Sequence, residues 1–274
     1  MKVSPHVYNM HIDDGSIYHP GGSNNFFVGD PADEMILIDT GDYERAWTKA
    51  ILDYYVSLGS PKITCIVITH GHEDHTGGLD RIQEVTGAPI KCHPKLVEKI
   101  QKILDDTSNT TALKHREIIT TGGNVQLQAL LTPGHEVDHV CYYLKEDKVM
   151  FTGDTVLGAS STSVTDLSNY IKSLKLLTKF KFDIVCPAHG PVAIVKEKGN
   201  IVQRQLDHRL GREQQVLKAL DQGITDIEAI AKAIYPKNLK KNLRSSAERN
   251  VRTHMKKLLK DEVVEEISAK FQMK

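Results

Sequence analysis

One stretch of this 274-residue chain gathers the groups that hold metal ions: Thr69-His70-Gly71-His72-Glu73-Asp74-His75-Thr76. Within six residues it supplies three imidazoles and the Asp74 carboxylate in the spacing HxHxDH. It follows the apolar run ITCIVIT at 63–69, so these side chains occupy the turn at a strand's carboxyl end. From such a turn His70 and His72 can face one ion while Asp74 and His75 curl toward a second. Imidazole with carboxylate suits zinc, with manganese or iron as alternatives, and oxygen donors leave room for a catalytic water. A structural zinc would favour a cysteine-rich closed tetrahedron instead.

Three further positions repeat the pattern. His135 ends Thr132-Pro133-Gly134-His135 after the run at 125–131, Asp154 ends Thr152-Gly153-Asp154 after 149–153, and His189 follows Pro187-Ala188 after 183–186. Each donor lies just past a strand beside a glycine, which places a site along one edge of a layered fold. Five of the thirteen histidines are used this way. Two divalent ions about 3.5–4 Å apart would generate hydroxide at neutral pH and polarise a carbonyl or phosphoryl oxygen. Asp74 would be both ligand and proton acceptor. The chemistry expected is metal-assisted hydrolysis; the metals alone do not set which bond is cut.

The elements that position these groups are short. Strand-like runs occur at 35–39, 63–69, 125–131, 140–144, 149–153 and 183–188, rich in Val, Ile and Leu. Helical periodicity falls between them: 43–58 after an Asp42 cap, with Ala46, Trp47, Ala50, Ile51 and Tyr54 on one face, and 165–178. Helices dominate after residue 199, first over 201–220, then over 227–234 behind a capping box with Thr225 as N-cap and Glu228 three residues on. Residues 263–267 read as a terminal β-wing. The expected fold is a layered α/β sandwich over 1–195, a connecting helix over 196–210 and a small helical module over 211–274. Formal charge supports this division, at −5 through residue 210 and +5 thereafter. The chain as a whole is neutral, and no apolar run approaches the length of a membrane span, so neither nucleic acid nor membrane is implied globally. Four dispersed cysteines read as reduced thiols in an intracellular protein, and the N-terminus as neither a secretory signal nor a transit peptide.

The ligand pattern resembles the metallo-β-lactamase superfamily over roughly residues 20–195, which implies an αββα sandwich with a binuclear centre, two Zn2+ by expectation. The resemblance places His70, His72 and His135 on one metal and Asp74, His75 and His189 on the other, with Asp154 bridging. It makes Asp39, in Ile38-Asp39-Thr40-Gly41, a residue that orients ligands without binding metal, and His139 a support for its loop. Only 34 residues separate Asp154 from His189, so the large insertion of some RNA-processing members is missing. No cysteine stands at a ligand position, unlike one antibiotic-degrading subclass.

Residues 237–260 carry nine bases against one acid, Glu248, a face suited to phosphates, to solvent or to a homodimer contact. The chain is also similar to the animal mitochondrial endoribonucleases of the superfamily. The shared stretches are Gly22-Ser23-Asn24-Asn25-Phe26-Phe27-Val28-Gly29, Phe151-Thr152-Gly153-Asp154, Asp166-Leu167-Ser168-Asn169-Tyr170 and His208-Arg209 with Arg212-Glu213-Gln214-Gln215. Departures are Ser160-Ser161-Thr162-Ser163, Thr165 and a polar loop over 11–20. That resemblance implies cleavage of single-stranded RNA, a winged-helix-like tail and the mitochondrial matrix, with the cytoplasm as alternative. Asn24 and Thr162 would then lie near the scissile phosphate, and Lys240, Lys241, Arg244 and Arg252 would hold the strand. Two other functions are open to the same chain: hydrolysis of a small thioester or lactone, and non-catalytic RNA binding around a structural metal.

Overall fold

The computed structural model describes residues 1–13, 15 and 19–266. The first sheet has seven strands: β1 (Lys2–Ser4), β2 (Val7–Ile12), β3 (Ser23–Gly29), β4 (Glu34–Ile38), β5 (Lys62–Val67), β6 (Ile90–Cys92) and β7 (Thr110–Ala112), hydrogen-bonded in chain order. The second comprises β8 (Ile118–Thr121), β9 (Val125–Leu131), β10 (Val140–Leu144), β11 (Val149–Gly153), β12 (Ile184–Pro187) and β13 (Ala193–Ile194), again with sequential neighbours. Around them lie α1 (Arg45–Ser57), α2 (Glu73–Thr76), α3 (Leu79–Thr86), α4 (Val97–Leu104), α5 (Leu167–Leu177), α6 (Val195–Lys198), α7 (Ile201–Asp221), α8 (Ile227–Ile234) and α9 (Arg244–Lys260).

Side-chain alternation makes three apolar layers from these strands. Phe26, Val28, Ile36, Ile38 and Val67 meet Leu127, Val140, Tyr142, Val149 and Phe151 between the sheets. The alternate residues Phe27, Leu37 and Ile66 pack outward with Ile51 of α1 and Ile100 of α4. Leu130, Met150 and Val185 face Leu174 of α5 and Leu206 of α7 on the opposite side. The result is an αββα sandwich whose central strands, covered on both faces, read as continuous apolar runs rather than alternating ones.

A fourth apolar cluster unites Val216, Ala219, Ile230, Val251 and Leu258 in the tail. It does not begin at residue 211. Helix α7 runs unbroken through Gly211, with Val202 and Leu206 buried in the sandwich layer and Val216 and Ala219 in the tail cluster. The boundary suggested by charge therefore falls inside a shared helix. The N-cap of α8 is Asp226, whose carboxylate accepts from Ala229 N, so the expected capping role of Thr225 is displaced by one residue. Residues 263–266 form no strand; Ile267, the last residue of the expected wing, and part of the 11–20 loop lie outside the described residues. All four cysteines are buried free thiols. No helix among the described residues is long and apolar enough to cross a membrane.

Candidate metal centre

The segments that leave the strand ends bring the donors together. β5 continues into Ile68 and Thr69, which the second sheet pins: Tyr142 Oη donates to Ile68 O and Val140 N to Thr69 O, each at 2.7 Å. The chain then turns through His70 and His72 into α2, which carries Asp74 in its first turn and His75 in its last. His70 Nε2 lies 2.9 Å from His72 Nδ1, and His135 Nε2 lies 3.4 Å from His72 Nδ1 and 3.6 Å from Asp154 Oδ2. The other oxygen, Asp154 Oδ1, is 3.3 Å from His189 Nε2 and 3.6 Å from His75 Nε2. Asp74 Oδ2 closes the second group, 3.2 Å from His189 Nε2 and 3.5 Å from His75 Nε2. Asp154 thus offers one oxygen to each cluster.

The ring nitrogens that face away from the centre are held too. His75 Nδ1 donates to Asp39 Oδ2 at 2.8 Å, and His135 Nδ1 to Ser163 O at 2.9 Å. A carboxylate and a carbonyl only accept, so each Nδ1 carries a proton and the Nε2 that points inward is the nitrogen left for a metal. His189 Nδ1 meets Ser23 Oγ at 2.9 Å, His70 Nδ1 meets Thr69 Oγ1 at 3.1 Å, and His72 Nε2 faces Glu136 Oε1 at 3.4 Å. Asp39 also accepts from Thr69 N, at 2.8 Å, which locks the start of the ligand loop. His139 Nε2 accepts the amide of Asp154 at 3.0 Å. Gly153, at φ 47°, permits that contact, since a Cβ there would stand 2.7 Å from the same nitrogen.

Electrostatics favour a cation. Burial holds His70 and His135 below the usual imidazole range, so they stay neutral donors. Burial also opposes charge on His75, yet the Asp74, Asp39 and Asp154 carboxylates around it push its pKa up to about 10. Burial would raise Asp74, but His75, His189 and His19 hold it well below the usual carboxylate range. Among the described residues His75 Nε2 and Asp154 Oδ1 are buried without a hydrogen-bond partner. A divalent ion would satisfy both atoms, and the His/Asp donor set fits one.

Two residues expected near substrate do other work. Asn24 is buried; its Nδ2 donates to Pro187 O and Gly190 O at 2.9 and 2.8 Å, bracing the turn that presents His189. Alternation along β3 turns its neighbour Ser23 to the centre instead. Thr162 is buried as well, with Oγ1 2.9 Å from His135 Nδ1. Lys240, Lys241, Arg244 and Arg252 are exposed on the tail, away from the donor cluster's contacts. Helical spacing puts Arg252 with Arg249, Lys256 and Lys260 on one face of α9, and Lys260 Nζ reaches Asp166 Oδ2 at 3.4 Å.

Sequence reading missed one residue at the centre and one that braces a loop beside it. His19 Nε2 lies 3.2 Å from Asp74 Oδ2. Its signal is weaker: a histidine opening the Pro20-Gly21-Gly22 turn before β3. Arg209 is buried on α7 and donates to Thr162 O at 3.0 Å, linking the tail helix to the loop that braces His135. A lone arginine in a helix pattern carries no mark of that contact.

Facing sheets between helical layers, with His/Asp donors converging at one edge, define a metal-dependent hydrolase fold. Residues 19–189 match the metallo-beta-lactamase superfamily model, and residues 227–271 match the beta-lactamase associated winged helix domain. The chain belongs to the metallo-β-lactamase superfamily and carries the winged-helix domain associated with it. It is 35% identical over 202 residues to lactamase-like protein nscB of Trichophyton rubrum, covering 74% of this chain and 59% of that one. It is 34% identical over 204 residues to the atrochrysone carboxyl ACP thioesterase of Aspergillus fumigatus, covering 73% and 60%. The chain thus spans about 60% of the length of these relatives. A solved metallo-beta-lactamase family protein of Thermus thermophilus shares the fold at TM-score 0.71 and 20% identity, covering 95% of each chain.

Proposed function

We propose that this chain is a two-metal hydrolase that cleaves thioesters. The observation that carries this reading is the seven-donor His/Asp cluster on a chain 34% identical to a protein named as a carrier-protein thioesterase. Two zinc ions, with manganese or iron as alternatives, would supply Lewis-acid activation of water and of the acyl oxygen. The residues themselves do the rest. His70, His72 and His135 with Asp154 would hold one ion; Asp74, His75 and His189, again with Asp154, would hold the other. Asp74, its side chain 16% exposed while His75 and His189 are nearly buried, would hold the ion through Oδ2 and accept the proton of the attacking water on its other oxygen. Asp39 and the Ser163 carbonyl keep Nδ1 of His75 and of His135 protonated, which leaves Nε2 to face the centre.

The leaving group favours a thioester on physical grounds. A thiol of ordinary pKa near 8.5 departs as thiolate without a proton donor. A phosphodiester brings its own negative charge, and among the described residues no lysine or arginine is in contact with the cluster's donor atoms. Cleavage of single-stranded RNA is therefore the second reading, reversing the order suggested by sequence. What favours it is the cationic face of α9, whose Lys260 touches Asp166 in the segment that follows the Thr162 loop.

Parallel assays of the metal-loaded protein on a small acyl thioester and on a labelled single-stranded RNA separate the two. Thioester turnover abolished in Asp74→Ala, His75→Ala, with the RNA left intact, is the expected result. RNA cuts that disappear in the same variant, without thioester turnover, would replace this reading with the second. That second reading also requires RNA affinity to weaken steeply as salt rises.

A further inference from the structure

His19 reaches the second cluster from a segment that contributes no other donor. Its ring stacks on His189, centroids 4.6 Å apart and planes 9° from parallel. Its Nε2 is 3.2 Å from Asp74 Oδ2, the oxygen that also faces His189 Nε2 at 3.2 Å and His75 Nε2 at 3.5 Å. Three imidazole nitrogens from three segments converge on a single carboxylate oxygen. The donor atoms of His19, Asp74 and His189 lie within 4.8 Å of one another, the spread over which one ion can be shared.

The backbone builds this placement. Gly22 N donates to His19 O at 2.8 Å, closing the turn, and Gly190 N donates to Gly22 O at 2.9 Å, fastening the turn to the residue after His189. Gly21 and Gly22 have φ of 83° and 78°. A Cβ on Gly22 would stand 2.4 Å from Ile12 O, and one on Gly21 3.1 Å from Gly190 Cα. Gly21 therefore lets the turn lie close against the His189 loop and Gly22 lets it pass tightly by the end of β2, and that path carries His19 over Asp74.

We propose that His19 is an additional ligand of the second metal, binding through Nε2 beside Asp74 and His189. The role rests on the two-metal reading above and extends it. An added imidazole biases this position toward first-row transition ions such as zinc, iron or cobalt and against magnesium or calcium. It also fastens the turn before β3 across one side of the ion.

Cobalt titration of the metal-free protein tests this without reference to activity. Parent, His19→Ala, His19→Gln and His189→Ala are titrated against a competing chelator while the visible absorption of bound cobalt is recorded. The parent is expected to take two equivalents. Both His19 variants should take the first unchanged and the second about tenfold or more weaker, with an altered spectrum for that second ion. His189→Ala should lose the second ion more completely. Unchanged second-site affinity and spectrum in both His19 variants would overturn the assignment while leaving the two-metal reading intact. Fewer than two equivalents in the parent would overturn both.

Discussion

Asp39→Asn would keep a residue that tolerates the left-handed backbone at φ 61° while removing the charge that receives His75 Nδ1–H. The His75 ring would lose its fixed orientation, and second-ion affinity should fall about 10–100-fold with the fold unchanged, as metal titration with circular dichroism would show. Thr162→Val makes the matching test at the first ion. It removes the hydroxyl beside His135 Nδ1 but leaves the Ser163 carbonyl, so a smaller loss is expected there and none at the second ion. At this scale the HxHxDH cluster was legible because its spacing is local. Asn24 and Thr162 were legible as polar residues near the site, but not their partners, because sequence does not say which way a side chain points. His19 was invisible for a related reason, since its partners Asp74 and His189 are distant in the chain.

The elements hold the centre through their ends, and two of those ends can be tested. Asp166 caps α5 by accepting from Asn169 N at 3.0 Å, so Asp166→Ala should cost about 1 kcal/mol in urea unfolding. Asp147, in the turn between β10 and β11, accepts from Ser4 Oγ at 2.6 Å and His6 N at 2.8 Å, clasping β1 and β2 to the second sheet. Burial alone would raise the Asp147 carboxyl, but the Ser4 and His6 bonds outweigh it and hold the pKa below its ordinary value. A depressed carboxyl pKa adds stability above the unfolded value and loses it as pH falls through the folded one. The stability gap between parent and Asp147→Asn, measured by urea unfolding, should therefore be largest near neutrality and close as pH drops toward about 3. A gap independent of pH would remove the clasp. The strands β9, β10 and β11 were legible to the residue, β10 and β11 because they are buried along their whole length and β9 because Gln126 and Gln128 alternate with apolar residues. The three-residue β6 and β7 and the two-turn helices α3 and α4 were not read, since so few residues barely register a period.

Across the molecule the tail and the sandwich share α7 and meet again where Lys260 contacts Asp166 and His254 Nε2 lies 3.3 Å from Arg209 O. Ending the chain at residue 210 would cut that helix and strip those contacts, so the truncated protein should melt below the parent in a thermal scan. An unchanged melting temperature would make the tail an independent appendage. The charge shift at 210 was legible but marked a change in surface rather than a fold boundary, which explains its position inside a helix. The central claim, that seven His and Asp donors hold two ions which hydrolyse a thioester, meets its most direct test in one titration. Metal is added to the metal-free protein while release of thiol from an acyl thioester is followed. Activity that rises and levels off at two equivalents per chain is the predicted result; no thiol release at any metal loading would contradict it.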